Sequence, residues 1–229
     1  METHHPGLTD GLAPLWGPGS VGPTRSFLVL PSAADPRLVL PAGGGRAAAA
    51  VLHALRDEST PKARVRSWVL RGVSLLHLRT TELPDPPLLA AVTGHLAPGT
   101  AGADLVYGVH LGPRRANRKP VMAVAGPDGA LFGIVKWGMN PLTDRLVVHE
   151  ATALQELASL PAHCGVQVPR LLGHGDFAGH PYVVQSPVPT TGVGPWSLDR
   201  AVEAQVAVAR SGGQGDTEAY LTRFGAAWQ

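Results

Sequence analysis

Lys136 and Glu150 are the two residues whose types and spacing point most directly to chemistry. Lys136 interrupts the apolar run LFGIVKWG (131–138), which otherwise has the composition of a buried strand. The chain has only three lysines against sixteen arginines, so this lysine is not background composition. Desolvating an ammonium inside a strand is costly unless an anion meets it. Glu150, fourteen residues later, could be that anion. The alternative is a lysine whose ammonium reaches solvent and an exposed helix acid.

The segments around this pair predict strand, strand, strand, helix, strand, strand between 104 and 188. DLVYGVHLGP (104–113) alternates and ends in a Gly-Pro turn signal. Residues 119–138 hold two apolar runs around Gly-Pro-Asp-Gly (126–129), which is typical of a hairpin. Residues 168–188 predict a second hairpin, whose second strand ends at prolines.

The helix between the two hairpins carries Glu150. We expect Thr143 or Asp144 to be its N-cap. Apolar residues then recur near a 3.6-residue period and predict one apolar stripe, formed by Leu146, Val147, Ala151, Leu154, Leu157 and Leu160. Glu150 lies near the edge of this stripe, so its side chain could turn toward a strand.

Residues 104–189 resemble the amino-terminal lobe of the aminoglycoside phosphotransferase and choline-kinase-like branch of the protein-kinase-like fold. The stretch VPRLLGHGDFAGHPYVVQSPVP (168–189) is similar to the fourth and fifth strands of that branch running into the interlobe hinge. The resemblance covers under half of the chain. It implies that ATP is the nucleotide, that Lys136 contacts its phosphates and that Glu150 is the ion-pair partner of Lys136.

The resemblance also implies a role for two further segments. LGPRRANRK (111–119) would be the turn over the phosphates, and Arg114 and Arg115 would help to attract them by charge. This turn has one glycine rather than a glycine-rich pattern, and a solvated surface loop is an equal alternative. Gln185 would lie at the hinge, where backbone groups meet an adenine ring.

The residues that perform phosphoryl transfer in this fold are missing from the sequence. The branch uses H-x-D-x-x-x-x-N, but His174-Gly175-Asp176 is followed by Pro181 where the asparagine should stand. We expect this triplet to lie in a glycine-rich turn between two strands. Beyond residue 189 there is no histidine or asparagine. The sequence therefore predicts no catalysis by this chain alone, and Mg²⁺ binding only if a second lobe is supplied.

The remaining segments are assigned more coarsely. We expect a flexible segment at 1–26, a small accessory region at 27–100, and a hinge with the start of a truncated helical lobe at 190–229. The last helix could be covered by a second lobe or by a second copy of the chain.

Within the accessory region, 27–44 predicts two short strands and 43–56 a helix after a glycine-rich joint. The segment 85–100 predicts another helix, and 98–103 the boundary before the kinase-like lobe. The basic helix predicted at 60–79 could lie on an anionic membrane. Packing of its apolar face on the domain is the favoured alternative, so a membrane partner is not expected.

The fold class predicted overall is α+β. A kinase-like lobe, with a five-stranded antiparallel sheet and one helix, follows a small α/β or mostly helical region. A net charge of +2 is too small to argue for nucleic acid as a partner, although the sequence pI near 9.0 leaves it open, and no nucleic-acid partner is expected. The single cysteine, Cys164, cannot form an internal disulfide and favours the cytoplasm.

Three functions are consistent with these features. The first is the nucleotide side of an ATP-dependent small-molecule phosphotransferase. The second is a noncatalytic nucleotide-binding or regulatory module. The third is a peripheral membrane protein that docks through 60–79.

Overall fold

The computed structural model describes residue 16 and the ranges 23–32, 35–43, 45–55, 80–96, 104–112, 115–158 and 167–188. These residues form eight strands and three helices. The strands are β1 (Thr24–Pro31), β2 (Pro36–Pro41), β3 (Thr80–Pro84), β4 (Val106–His110), β5 (Val121–Ala125), β6 (Leu131–Trp137), β7 (Leu171–Phe177) and β8 (His180–Gln185). The helices are α1 (Gly45–Leu55), α2 (Pro87–Leu96) and α3 (Pro141–Leu157). The predicted helix at 60–79, the boundary at 98–103, nearly all of the segment 1–26 and all of 190–229 lie outside the described residues.

Two compact units divide the chain. One comprises Met1–Ala151 with Leu171–Pro187, and the other Thr152–Arg170 with Val188–Gln229. All eight strands belong to the first unit, as does the part of α3 that carries Glu150.

All eight strands belong to one antiparallel sheet with the order β3-β1-β2-β4-β5-β6-β8-β7. The α+β class is confirmed, but the prediction of a five-stranded sheet preceded by a separate region is wrong. Strands β1 to β3 extend the sheet beyond β4, and β2 joins it through the pairs Leu38–His110 and Val39–Val109. The reason is burial: β2 is apolar on both faces, so it lies between two neighbouring strands with Val39 fully buried.

Each face of the sheet is covered by its own helix. Helix α2 packs on the face that carries Tyr107, Met122 and Trp137. Helix α1 packs on the opposite face, mainly against β4 and β5. Its buried residues Val51 and Leu55 belong to the cluster on that face. The face under α1 is the one that also carries Lys136, because side chains alternate along β6.

The two predicted hairpins around the site are confirmed. In the β5–β6 turn, the Gly129 amide donates to the Gly126 carbonyl at 3.0 Å, and the Asp128 carboxylate accepts from the Ala130 amide. The β7–β8 turn is the pair Ala178-Gly179, both at positive φ, as two-residue hairpins require. The triplet 174–176 lies within strand β7 rather than in the turn, because the hairpin turns at 178–179 instead.

Helix α3 begins earlier than the sequence suggested. Its N-cap is Asn140, whose side-chain oxygen accepts from the backbone amides of Leu142 and Thr143 at 3.1 and 3.0 Å. Pro141 occupies the first helical position, where a missing N–H costs nothing. The buried Thr143 hydroxyl reaches back and accepts from the amides of Met139 and Asn140. The prediction of Thr143 or Asp144 as the N-cap is therefore wrong.

Gly108 lets α1 approach β4 closely, which gives a test of the sheet–helix packing. A Cβ atom at Gly108 would lie 2.7 Å from Val51 Cγ1 and 2.9 Å from the Val39 carbonyl oxygen. We expect Gly108→Ala to lower the free energy of unfolding by about 1–3 kcal/mol through overpacking. Urea denaturation measures the change.

The matched control is Gly94→Ala on helix α2, where an added Cβ meets nothing within 4 Å. It should raise the stability by about 0.5–1 kcal/mol, since alanine is the better helix former. Equal stability of Gly108→Ala and the wild-type protein would show that α1 and β4 are not in such close contact.

Candidate functional site

Lys136 lies near the end of β6, between β5 and β8. It is opposite Val121 on β5 and Val183 on β8. Val135 and Trp137, its neighbours in sequence, are buried on the α2 face. Alternation along the strand therefore points the Lys136 side chain to the other face. Helix α3 begins at Pro141, four residues after β6 ends.

The contact expected between Lys136 and Glu150 is present. The Lys136 ammonium donates to Glu150 Oε1. Both side chains are 22% exposed, so the pair is neither fully desolvated nor freely hydrated. Gln185, at the end of β8, places its side-chain oxygen 3.5 Å from the same ammonium. The structure thus brings together three of the residues proposed from the sequence: Lys136, Glu150 and Gln185.

Lys119 is a member of this cluster that the sequence analysis assigned only to a basic turn. Its ammonium donates to Glu150 Oε2 at 2.9 Å, and its side chain is 23% exposed. It stands two residues before Val121, the partner of Lys136 in the β5–β6 register. Side chains two positions apart on a strand lie on the same face, so Lys119 lies on the same face as Val121 and Lys136. This spacing is the sequence signal that could have identified Lys119.

The electrostatics of the cluster favour an ionised Glu150. Partial burial on its own raises the pKa of this carboxyl group. The hydrogen bonds from Lys136 and Lys119, with the charges of both lysines, outweigh burial and hold the pKa below its ordinary value. Two ammonium groups against one carboxylate leave the cluster with an excess of one positive charge. A partly exposed cluster of this sign can attract an anion.

In the basic turn before β5, Arg118 is hydrogen-bonded to the backbone. The Arg118 guanidinium donates to the backbone carbonyls of Leu111 and Pro36, at 2.8 and 3.1 Å. It therefore fastens the turn to the start of β2. Arg115 is exposed, so its side chain is accessible to a ligand. Arg114 lies outside the described residues.

A second pair fixes the start of α3 beside the β7–β8 hairpin. His180 Nδ1 lies 3.0 Å from Asp144 Oδ1 and 3.2 Å from Oδ2. The sequence analysis did not predict this contact, because it joins a helix start to a hairpin turn. The contact joins β8 to the start of α3, the helix that carries Glu150.

A cavity of about 350 Å³ lies elsewhere, in the gap between β1 and β4 past the end of β2. Arg25 spans this gap by donating to the Leu105 carbonyl at 2.6 Å and to Asp85 at 2.8 Å. Tyr107 donates to the same carboxylate at 3.1 Å, and burial together with Asp85 raises the pKa of its hydroxyl. Since these polar groups hydrogen-bond to one another, we assign this cluster a structural role in the sheet.

Within the described part of the chain, no group of three histidine, cysteine, aspartate or glutamate side chains could hold a metal ion. Among the same residues, no helix has the length and apolar character needed to span a bilayer. Comparison with protein-family models, with curated proteins and with solved structures gives no match to this chain.

The state of Glu150 makes a prediction about pH and stability. Its pKa is lower in the folded than in the unfolded protein, so ionisation favours folding above the ordinary carboxyl value of 4.5. That contribution is lost as the pH falls through the folded pKa. We expect Glu150→Gln to cost about 1–2 kcal/mol at neutral pH, with the difference from wild type shrinking below about pH 4.

Chemical denaturation of both proteins across this pH range measures the effect. Asp104→Asn, which removes one exposed carboxylate, controls for the change in net charge. A difference between wild type and Glu150→Gln that stays constant on acidification would contradict an ionised Glu150 between two lysines.

Proposed function

We propose that this chain carries the nucleotide-binding side of an ATP-dependent small-molecule phosphotransferase of the aminoglycoside phosphotransferase and choline-kinase-like kind. The observation that carries the proposal is the ion pair between Lys136 and Glu150. In kinases, a strand lysine contacts the nucleotide phosphates, and a glutamate on the following helix orients it.

The order of elements around the pair supports the same proposal. Lys136 lies on the third of five consecutive strands, β4 to β8, and Glu150 lies on α3, the helix inserted after that strand. The chain then returns through β7 and β8, and β8 pairs directly with β6. Helix α3 and strand β8 therefore both supply partners to one lysine, through Glu150 and Gln185.

Each residue of the cluster has a distinct role in this proposal. The Lys136 ammonium contacts the phosphates of ATP, and Glu150 holds that ammonium in place. Gln185 ends the strand that leads to the segment where the base would meet backbone groups. Arg115, exposed on the turn before β5, adds positive charge on the approach to the phosphates.

Magnesium ions neutralise charge on the phosphates in phosphoryl transfer. Among the described residues, no group of three histidine, cysteine, aspartate or glutamate side chains converges to hold a metal ion. The sequence also lacks the H-x-D-x-x-x-x-N pattern that would hold the metal and accept the substrate proton. The proposal is therefore confined to binding the nucleotide, and no transfer step is assigned to these residues.

The absence of that pattern favours a second candidate function, a noncatalytic nucleotide-binding or regulatory module. The two candidates share the Lys136 site and differ in whether a second lobe supplies the residues for transfer. Phosphoryl transfer by the purified chain that disappears in Lys136→Ala would exclude the noncatalytic module.

ATP binding tests the site itself. We expect the wild-type chain to bind ATP, with and without Mg²⁺, and Lys136→Ala to weaken binding at least tenfold, because a charge-assisted hydrogen bond to phosphate contributes about 1.5–3 kcal/mol. Calorimetric titration measures both affinities. Arg145→Ala removes one positive charge from an exposed position on α3 and is the matched control. Equal affinity of wild type and Lys136→Ala would refute the proposed function.

A further inference from the structure

The feature that goes beyond the Lys136–Glu150 pair is the second lysine on the same carboxylate. Glu150 offers Oε1 to Lys136 and Oε2 to Lys119, which precedes the neighbouring strand β5. One carboxylate therefore sets the position of both ammonium groups. Their separation cannot exceed the width of one carboxylate with a hydrogen bond on either side.

The two ammonium groups keep donors available for a ligand. Each ammonium has three N–H groups. Lys136 directs one to Glu150 and a second, at the limit of a hydrogen bond, to Gln185. For Lys119, the contact with Glu150 is the hydrogen bond that the structure shows among the described residues. At least three N–H groups of the cluster thus remain for oxyanion acceptors without breaking either ion pair.

Charge and exposure indicate what the ligand would be. Each lysine repels the other, and Glu150 compensates only one of the two charges. Both lysine side chains are about one-fifth exposed, so an anion can approach them while part of the surroundings stays desolvated. A small anion can contact both ammoniums only with the oxygens of a single group. A chain of linked phosphates has acceptors far enough apart to meet both.

We propose that Lys119 is a second phosphate-binding residue, and that Lys119 and Lys136 form a two-ammonium site for a polyphosphate chain. This inference rests on the proposed function and deepens it, since it names the part of the ligand that the site recognises. Lys119 contacts one phosphate group and Lys136 a neighbouring one, while Glu150 keeps the two ammoniums apart and in register. Lys119 binds the ligand directly rather than through Lys136.

Calorimetric titration of the full chain with ATP, inorganic tripolyphosphate and inorganic phosphate tests this inference. The variant is Lys119→Gln, which removes the charge but keeps an N–H donor for Glu150 and so protects the fold. Its matched control is Arg145→Gln, with the same loss of charge on an exposed helix position. Lys119→Arg restores the charge at position 119, and thermal melting of each variant checks that the protein is folded.

We expect Lys119→Gln to bind ATP and tripolyphosphate about tenfold more weakly, as the loss of one charge-assisted phosphate contact predicts. Its loss of affinity for inorganic phosphate should be smaller, since a single phosphate group has fewer oxygens to offer the two ammoniums. Lys119→Arg should recover only part of the loss, because its planar fork also competes with Lys136 for Glu150. Arg145→Gln should behave as wild type.

The outcomes separate this inference from the function on which it rests. If Lys136→Ala loses ATP binding while Lys119→Gln and Arg145→Gln bind ATP and tripolyphosphate equally well, the second phosphate contact is refuted and the proposed function stands. If wild type binds ATP but not tripolyphosphate, recognition of the phosphate chain by the lysines is refuted. If wild type binds none of the three, the proposed function and this inference fail together.

Discussion

The candidate site depends on the contact of one carboxylate, Glu150, with two lysines from neighbouring strands or strand ends. Lys136 is carried by β6, and Lys119 by the segment that enters β5. The two ammoniums are so close that they repel each other, and the carboxylate between them offsets that repulsion. Helix α3 must therefore lie over this end of the sheet. The Asn140 cap fixes where the helix starts, and the Asp144–His180 contact fixes it against the hairpin.

The second constraint comes from the face that the site shares with α1. That helix covers β4 and β5, where Gly108 admits Val51 and Leu55 at short distance. Val121 and Ile134, on the same face as Lys136, pack at the border of this cluster and stay partly buried. A ligand at Lys136 would therefore meet a surface bordered by α1 as well as by α3. Because β1 to β3 join the same sheet, the first part of the chain belongs to the architecture around the site.

Local patterns predicted the elements, and long-range contacts were harder to predict. The hairpin turn at 126–129 and the apolar stripe of α3 depend on neighbours in sequence, so they could be predicted. The pairing of β2 with β4 depends on burial between distant segments, and strand β3, TTELP, is too short and polar to show a strand pattern. The α3 cap is harder to predict, because asparagine before proline, as at 140–141, is typical of a turn as well as of a helix start.

The same distinction applies to the site. Lys136 stood out because a lysine is costly in an apolar strand, and Glu150 because it followed on a helix. Lys119 stood in a run of basic residues whose composition is equally typical of a solvated loop, so its charge was assigned to the turn as a whole. Only the register of β5 against β6 shows that it faces Glu150, while Arg118 turns away to backbone carbonyls. Neighbouring cations of the same turn thus have different structural roles.

The identity of the two cations is itself informative in a chain with sixteen arginines and three lysines. An arginine at either position would present a planar fork that matches both oxygens of one carboxylate, and would compete with the other cation for Glu150. An ammonium is a compact charge that takes one oxygen and keeps further donors. Two of the chain's three lysines meet at this carboxylate, where such a group allows the anion to be shared. The geometry of shared coordination therefore explains why lysine, rather than the prevalent arginine, occupies both positions.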